Sequence, residues 1–343
     1  MTFRIQKNWR WLVALGAVFV PGIVSGALTL PFKFTAGTPI KAADVNANFE
    51  ALRAKLDALS ATPALPTVGT VTLPGILTAA PIRKFTQAMS MPWPSAAGGG
   101  AGKPTLTDIE IVRDAGTGSP VIAQNAASGK VLATADILLG SMTVHLTNAI
   151  ISSLKVIGAQ GDRPQEALTL SFQTIDWTYA PPGLPARTVT YNRATATTGG
   201  GSGAVAFKYA FAPAGVAVDT TFARVTSYTH AMGCPAPVLG GGGAACKVAH
   251  SPIAVQKGVG AETLDEIGHS LSGAVGNSVD LEWFSAAATV NNSVKLTNAI
   301  AVGVSLTTEA DGSFTETASF GYAAIAWQAG TLTSTWDILK NAP

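Results

Sequence analysis

The chain has 343 residues, 47% hydrophobic and only 12% charged, with 36 glycines and 20 prolines. So little charge excludes a disordered polyelectrolyte. The glycine and proline content favours short strands joined by turns, and the length allows two or three domains. Of the 22 basic residues, Arg4, Lys7 and Arg10 fall within the first 26 positions, leaving 19 against 20 acidic residues in the remainder. Without clustered Lys and Arg there is no electrostatic footprint for nucleic acid.

Residues 1–26 read as an export signal. The three cations form a basic start, Trp11 to Val20 an apolar run, and Ser25-Gly26-Ala27 a small-residue cleavage site. The run is shorter than the roughly 20 apolar residues that span a membrane as a helix. The alternative is a retained anchor extended around Pro21, so membrane contact would come only through an uncleaved signal. Export places the mature protein in the periplasm, at the cell surface or outside the cell.

Residues 27–60 are predicted to contain a helix. Val45, Phe49, Leu52, Leu56 and Leu59 recur at alternating spacings of four and three, the pattern of a coiled-coil seam. Packing of an amphipathic helix against the following domain explains the stripe equally well, because so short a coiled coil is marginal alone. Residues 61–66, with Pro63 and Pro66, read as a linker.

Beyond the linker the chain contains itself twice, as 67–200 and 201–343. Val144-His145-Leu146-Thr147-Asn148-Ala149-Ile150 recurs as Val294-Lys295-Leu296-Thr297-Asn298-Ala299-Ile300, 150 positions later. The same register carries Glu166 onto Glu316, Leu170 onto Phe320, Phe172 onto Tyr322, Ile175 onto Ile325 and Trp177 onto Trp327. Upstream, Ser128-Gly129 meets Ser272-Gly273 at an offset of 144, which requires a six-residue insertion in the second copy between about 274 and 293.

In the first copy Leu168, Leu170 and Phe172, then Ile175 and Trp177, alternate with polar residues, the period of a half-buried strand. In the second, Ala323 to Trp327 is nearly continuous in apolar residues, which predicts burial on both faces. Ser119 is the expected N-cap of a short helix that starts at Pro120 and stops at Ser128-Gly129. Glu262 to Ile267 opens the corresponding helix with acidic residues at its dipole-favoured end. The expected fold is mainly β, each copy holding strands, one helix, then more strands.

Cys234 and Cys246 are the only cysteines. In an oxidising compartment they would pair, and a loop of that length is stabilised by roughly 3 kcal/mol in the chain-entropy model. No Cys or His spacing suggests a metal site, and His145, His230, His250 and His269 are scattered. Glu166 and Glu316 are expected as solvated strand-edge carboxylates, or as partners of a neighbouring subunit, rather than as catalytic acids. The run Ala97 to Pro104 fails as a phosphate loop because Ala97 replaces the first glycine and Pro104 the hydroxyl residue after Lys103. With no catalytic, cofactor or metal residue to name, the reading is of a protein that is not an enzyme.

Several blocks together resemble a known family. They are Asp108-Ile109, Arg113-Asp114, Ser119-Pro120-Val121, Val144 to Ser153, Glu166 to Phe172, Ile175 to Tyr179 and the tail Trp336-Asp337-Ile338-Leu339-Lys340-Asn341. The order is similar to that of the type VI secretion tube protein, the haemolysin-coregulated protein (Hcp) family. The resemblance implies two tandem β-barrels, each with one short helix, hexameric rings with a wide lumen, and rings stacked into a tube that carries effectors, without active site or cofactor. Ser90 to Lys103 and Ala231 to Lys247 look like the family's long hairpin loop, so a Cys234–Cys246 bridge would staple the second loop's neck.

Family members are usually single-domain cytoplasmic proteins, whereas this chain is doubled and carries an export signal. If six barrels close a ring, three chains suffice, and a trimeric coiled coil would fit that count. The expected function is that of an exported structural protein, whose partners are itself, as homotrimer or stacked rings, and a protein cargo or cell-surface component. The competing expectation is a surface-displayed binding or adhesion module trimerised by the N-terminal helix.

Overall fold

Period-two apolar stretches become strands throughout the residues that the computed structural model describes, namely 41, 43, 46–50, 66–93, 103–158, 164–200, 205–233, 248–275, 277–338, 340 and 342. The chain divides into two units, residues 1–62 and 63–343. In the first, Ala43 and residues 46–50 are helical, and Phe49 is exposed. Val45, Leu52, Leu56 and Leu59 of the expected seam, and the expected export signal, lie outside the described residues.

The second unit opens with copy 1: β1 (Gly69–Leu73), β2 (Leu77–Ile82), β3 (Lys84–Ser90), β4 (Thr105–Leu106), β5 (Ile109–Asp114), helix α1 (Ser119–Ser128), β6 (Val131–Leu139), β7 (Met142–Ile157), β8 (Gln165–Ser171), β9 (Thr174–Tyr179), β10 (Arg187–Asn192) and β11 (Thr197–Gly199). Copy 2 follows with β12 (Ala206–Phe211), β13 (Ala223–Thr229), β14 (Met232–Gly233), β15 (Ala249–His250), β16 (Ile253–Gly258), helix α2 (Glu262–Ser272), β17 (Asn277–Phe284), β18 (Val290–Thr308), β19 (Phe314–Gly321), β20 (Ala324–Ala329) and β21 (Leu332–Asp337).

Copy 1 pairs in the order β2, β1, β6, β7, β8, β5, β3, all antiparallel. Its first and last members, β2 and β3, are consecutive pieces of chain separated only by Arg83. Copy 2 repeats the order with β13, β16, β19, β18 and β17. Its start differs, because β12 lies parallel to both β17 and β13, where copy 1 has an antiparallel hairpin. The six-residue insertion sits in one hairpin: Leu139 pairs with Met142 in copy 1, and its counterpart Trp283 pairs with Asn292 in copy 2.

The repeated Thr-Asn-Ala motif has a backbone cause. Asn148 and Asn298 adopt φ of 51° and 50°, a left-handed conformation that Asn tolerates better than other residues with a side chain. At this point β7 passes from β9 to β8 and β18 passes from β20 to β19, so the kink lets one long strand serve two partners. The Asn148 amide also donates to Gln173 Oε1 at 2.8 Å.

Two expectations need correction. The N-cap of α1 is Gly118, while Ser119 is the first helical residue and its Oγ accepts from the Gly116 N–H at 2.9 Å. Its C-cap is Gly129 in the left-handed conformation, as expected. The stretch Ala323 to Trp327 is not buried on both faces: only Ile325 is, because small alanines fill the outward positions and Trp327 lacks the cover that leaves its counterpart Trp177 0% exposed.

Asn148→Val places a β-branched residue at positive φ and should lower stability by about 1–2 kcal/mol, whereas Asn148→Gly should stay within about 1 kcal/mol of the parent. Urea unfolding of the three proteins checks the ranking.

Candidate assembly interface and the buried charges behind it

The two copies meet head to tail. The distal half of β18 pairs antiparallel with β3, Gly303 opposite Ser90 through Thr307 opposite Thr86. Next to it, the Phe85 N–H donates to Thr308 Oγ1 at 2.8 Å. Val304 and Leu306 thereby enter the apolar core of copy 1, as do Leu264, Ile267 and Leu271 from α2. Side chains of this size contribute about 1.5–3 kcal/mol each when taken out of water. Arg187 of β10 closes the seam, donating to both carboxylate oxygens of Asp265 at 3.1 and 2.5 Å.

Each half of this joint has a counterpart in the other copy. Ser153 to Ile157 of β7 correspond to Gly303 to Thr307, and residues 229–233 correspond to Thr86 to Ser90. The second equivalence is visible in the bonding: Met232 pairs with His250 as Met89 pairs with Leu106. The Ala231 N–H donates to Ser251 Oγ as the Ala88 N–H donates to Thr107 Oγ1, both at 2.9 Å. The outer edges of both counterparts take no strand partner among the described residues. Val156 is 65% exposed where Leu306 is 0%, and Met232 is 54% exposed where Met89 is 2%.

Behind the joint each copy buries one cross-strand ion pair. Arg113 of β5 opposes Glu166 of β8, and Lys257 of β16 opposes Glu316 of β19. The expected solvated edge glutamates are therefore corrected: Glu166 and Glu316 are 1% and 0% exposed. Their strands are paired on both sides, so neither lies on an edge, and a base directly across the ladder takes the charge.

In copy 2 the helix adds to the centre. Lys257 Nζ lies 2.6 Å from Glu316, 3.0 Å from Glu266 and 3.1 Å from Glu262, and the Tyr209 hydroxyl donates to Glu266. Burial raises the Glu266 carboxyl, and Glu316 beside it raises it further against the pull of Lys257. Burial alone would lower Lys257, but Glu266, Glu316 and Glu262 outweigh it and hold the amine above its ordinary value. Glu316 stays below the usual carboxylate range despite burial, chiefly through Lys257.

Above the end of copy 2 lies an open groove of about 490 Å³, lined by Tyr228, Trp283, Trp327, Leu332 and polar residues such as Asn292 and Gln328. Trp283 stacks on Phe211 with ring centroids 4.6 Å apart, and Tyr228 meets Trp283 edge-on at 5.5 Å. His230 and His250 both approach the Tyr322 hydroxyl, at 2.7 and 3.3 Å, and burial lowers both imidazoles below their ordinary value.

Of the residues singled out from the sequence, Cys234 and Cys246 lie outside the described residues, as do four of the five seam positions. His145 is paired with Asp136 at a half-exposed position. No group of three potential metal ligands occurs among the described residues. Lys257 was missed, although it falls opposite Arg113 in the offset of 144, and Glu166 and Glu316, the partners of the two bases, fall opposite each other in the offset of 150.

A carboxyl raised in the folded state contributes stability that is complete below its ordinary value near 4.5 and is lost as pH rises above it. Glu266→Gln mimics the protonated form and escapes that loss. The variant should gain on the parent in thermal unfolding as pH rises from about 5 to 8. A constant difference across that range would refute the shift.

The family model described as type VI secretion system effector, Hcp, matches residues 77–179 and 220–328, more than half of the chain. Among solved structures, that of a type six secretion system protein is 16% identical, with 39% of this chain and 100% of that chain covered and a TM-score of 0.36. Hcp1 from Salmonella typhimurium is 19% identical, covering 37% and 95%, with a TM-score of 0.32. A type VI secretion system effector from Yersinia pestis is 16% identical, covering 36% and 98%, with a TM-score of 0.30. No curated protein matches the chain. Matched by one family model over both of its copies, the chain belongs to the Hcp family, whose members are structural tube proteins and not enzymes.

Proposed function

We propose that this is an exported structural protein whose two Hcp barrels assemble by repeating, between chains, the joint that already holds them together within one. The supporting observation is the pair of bare edges. Ser153 to Ile157 and residues 229–233 are the counterparts of the two halves of the β3–β18 joint, found at opposite copies, and their outer edges take no strand partner among the described residues. Such a head-to-tail contact closes a ring or runs on as a filament. Members of the Hcp family form hexameric rings and tubes, and with two barrels per chain three chains supply six.

The strand orders in both copies suit barrels of six strands, β2 and β3 acting as one bent strand. Export is supported by the basic and apolar start of the chain and by a family description that reads as a secretion system effector. Stacking of rings and carriage of a protein cargo follow from the family. The Cys234–Cys246 bridge belongs to the same proposal, and intact mass under non-reducing conditions reads it directly as the loss of two hydrogen atoms per chain.

Native mass measurement and electron microscopy of the mature protein should give particles of three chains with a central opening. A chain that stays single at micromolar concentration would refute assembly, and dispersed trimers without rings would favour surface display. Val156→Asp puts a charge where Leu306 is buried at the internal joint. It should raise the concentration for half-assembly about tenfold or more without lowering the melting temperature of the single chain.

A further inference from the structure

At the internal joint α2 does more than follow the strands. It touches β9, β10, β11 and β3 of copy 1, and eight of its eleven residues are buried. It covers the side of copy 1 where Trp177 is 0% and Val189 2% exposed. The counterparts of those residues in copy 2 are Trp327 and Ser334, both in the open groove. Trp327 is partly exposed there and Ser334 exposed. The groove thus includes the counterparts of β9, β10 and β3, but among the described residues no helix lies over it.

The helix equivalent to α2 is α1, and its outer face is bare. Leu264, Ile267 and Leu271, which enter the core of copy 1, correspond to Pro120, Ala123 and Ala127, all exposed. The seam residues have changed together. Arg187 and Asp265 form the ion pair of the internal joint. The position of Arg187 is taken in copy 2 by Leu332, opposite Ala329 as Arg187 is opposite Tyr179. The position of Asp265 is taken in copy 1 by Val121. Leu332 is 77% exposed and Val121 40%. A charged pair within the chain is matched by two apolar residues, each stranded at the surface of its own copy.

Resting on the assembly proposed above, we infer that the aromatic groove of copy 2 is the docking site for α1 of a second chain, with Val121 meeting Leu332 in place of the Asp265–Arg187 ion pair. The smaller face of α1 suits a groove in which Trp283 stands where copy 1 has Leu139. An apolar contact also suits a joint that must be desolvated at each encounter between chains, since an unpaired charge there would oppose binding.

The test uses the full mature chain and sedimentation across a concentration series. Val121→Asp should raise the concentration for half-assembly about tenfold or more, and Val121→Asp combined with Leu332→Arg, which rebuilds the internal ion pair, should recover most of that loss. Both residues are exposed in one chain, so the melting temperature of dissociated protein should not change. If the parent assembles but Val121→Asp assembles equally well, or the double variant is no better than the single, the docking of α1 is wrong and the assembly reading stands. If the parent never assembles, both fall.

Discussion

The antiparallel pairing of β3 with the distal half of β18 is the constraint on which the rest of the second unit depends. It turns the strands of two copies into one hydrogen-bonded network of nineteen strands, with only β14 and β15 apart among the described residues. It also decides which residues are core. Leu306 is buried where β3 lies beside it, and the same position in copy 1, Val156, is exposed where no strand lies beside it among the described residues. An edge strand with unpaired backbone groups and apolar side chains is an invitation to another chain, and natural proteins blunt such edges unless they use them. Here Val156, Ile157 and Met232 leave the edges sticky, with Lys155 the only charge among the residues of β7 that correspond to the joint.

Each copy sets a buried base directly across the ladder from a buried glutamate, and in copy 2 the helix adds Glu262 and Glu266 to the same lysine. Buried ion pairs seldom add net stability, since desolvation consumes most of the attraction. Their effect is on alternatives: a ladder slipped by one residue would bury Lys257 away from Glu316. The charges therefore pin the register of β16 against β19, and through Glu266 they pin α2 at the height where Leu264, Ile267 and Leu271 reach copy 1.

Much of this was legible in the sequence, and the reasons for the rest are specific. The duplication, the strands around Leu168 and Trp177 and the hairpin insertion follow from period and offset alone. The burial of Glu166 and Glu316 did not, because one strand does not reveal whether its edges are paired, and an isolated glutamate in a strand is usually solvated. The parallel placement of β12 leaves no signal in its own residues, since parallel and antiparallel strands share the same alternation. The groove was hidden for a related reason. Trp177 and Trp327 are the same residue at the same place in the repeat, and the helix over one of them leaves the first fully buried and the second partly exposed.

The near-complete burial of α2 has a consequence for how the chain folds. The helix is clamped between its own β18 and the strands of copy 1, so α2 is fully covered only when both copies are folded, and copy 1 lacks Leu264, Ile267 and Leu271 until copy 2 arrives. Two sequences that look like independent modules thus share one core, that of copy 1. Unfolding is therefore expected to be coupled across the repeat boundary, since excising copy 2 would strip copy 1 of part of its core.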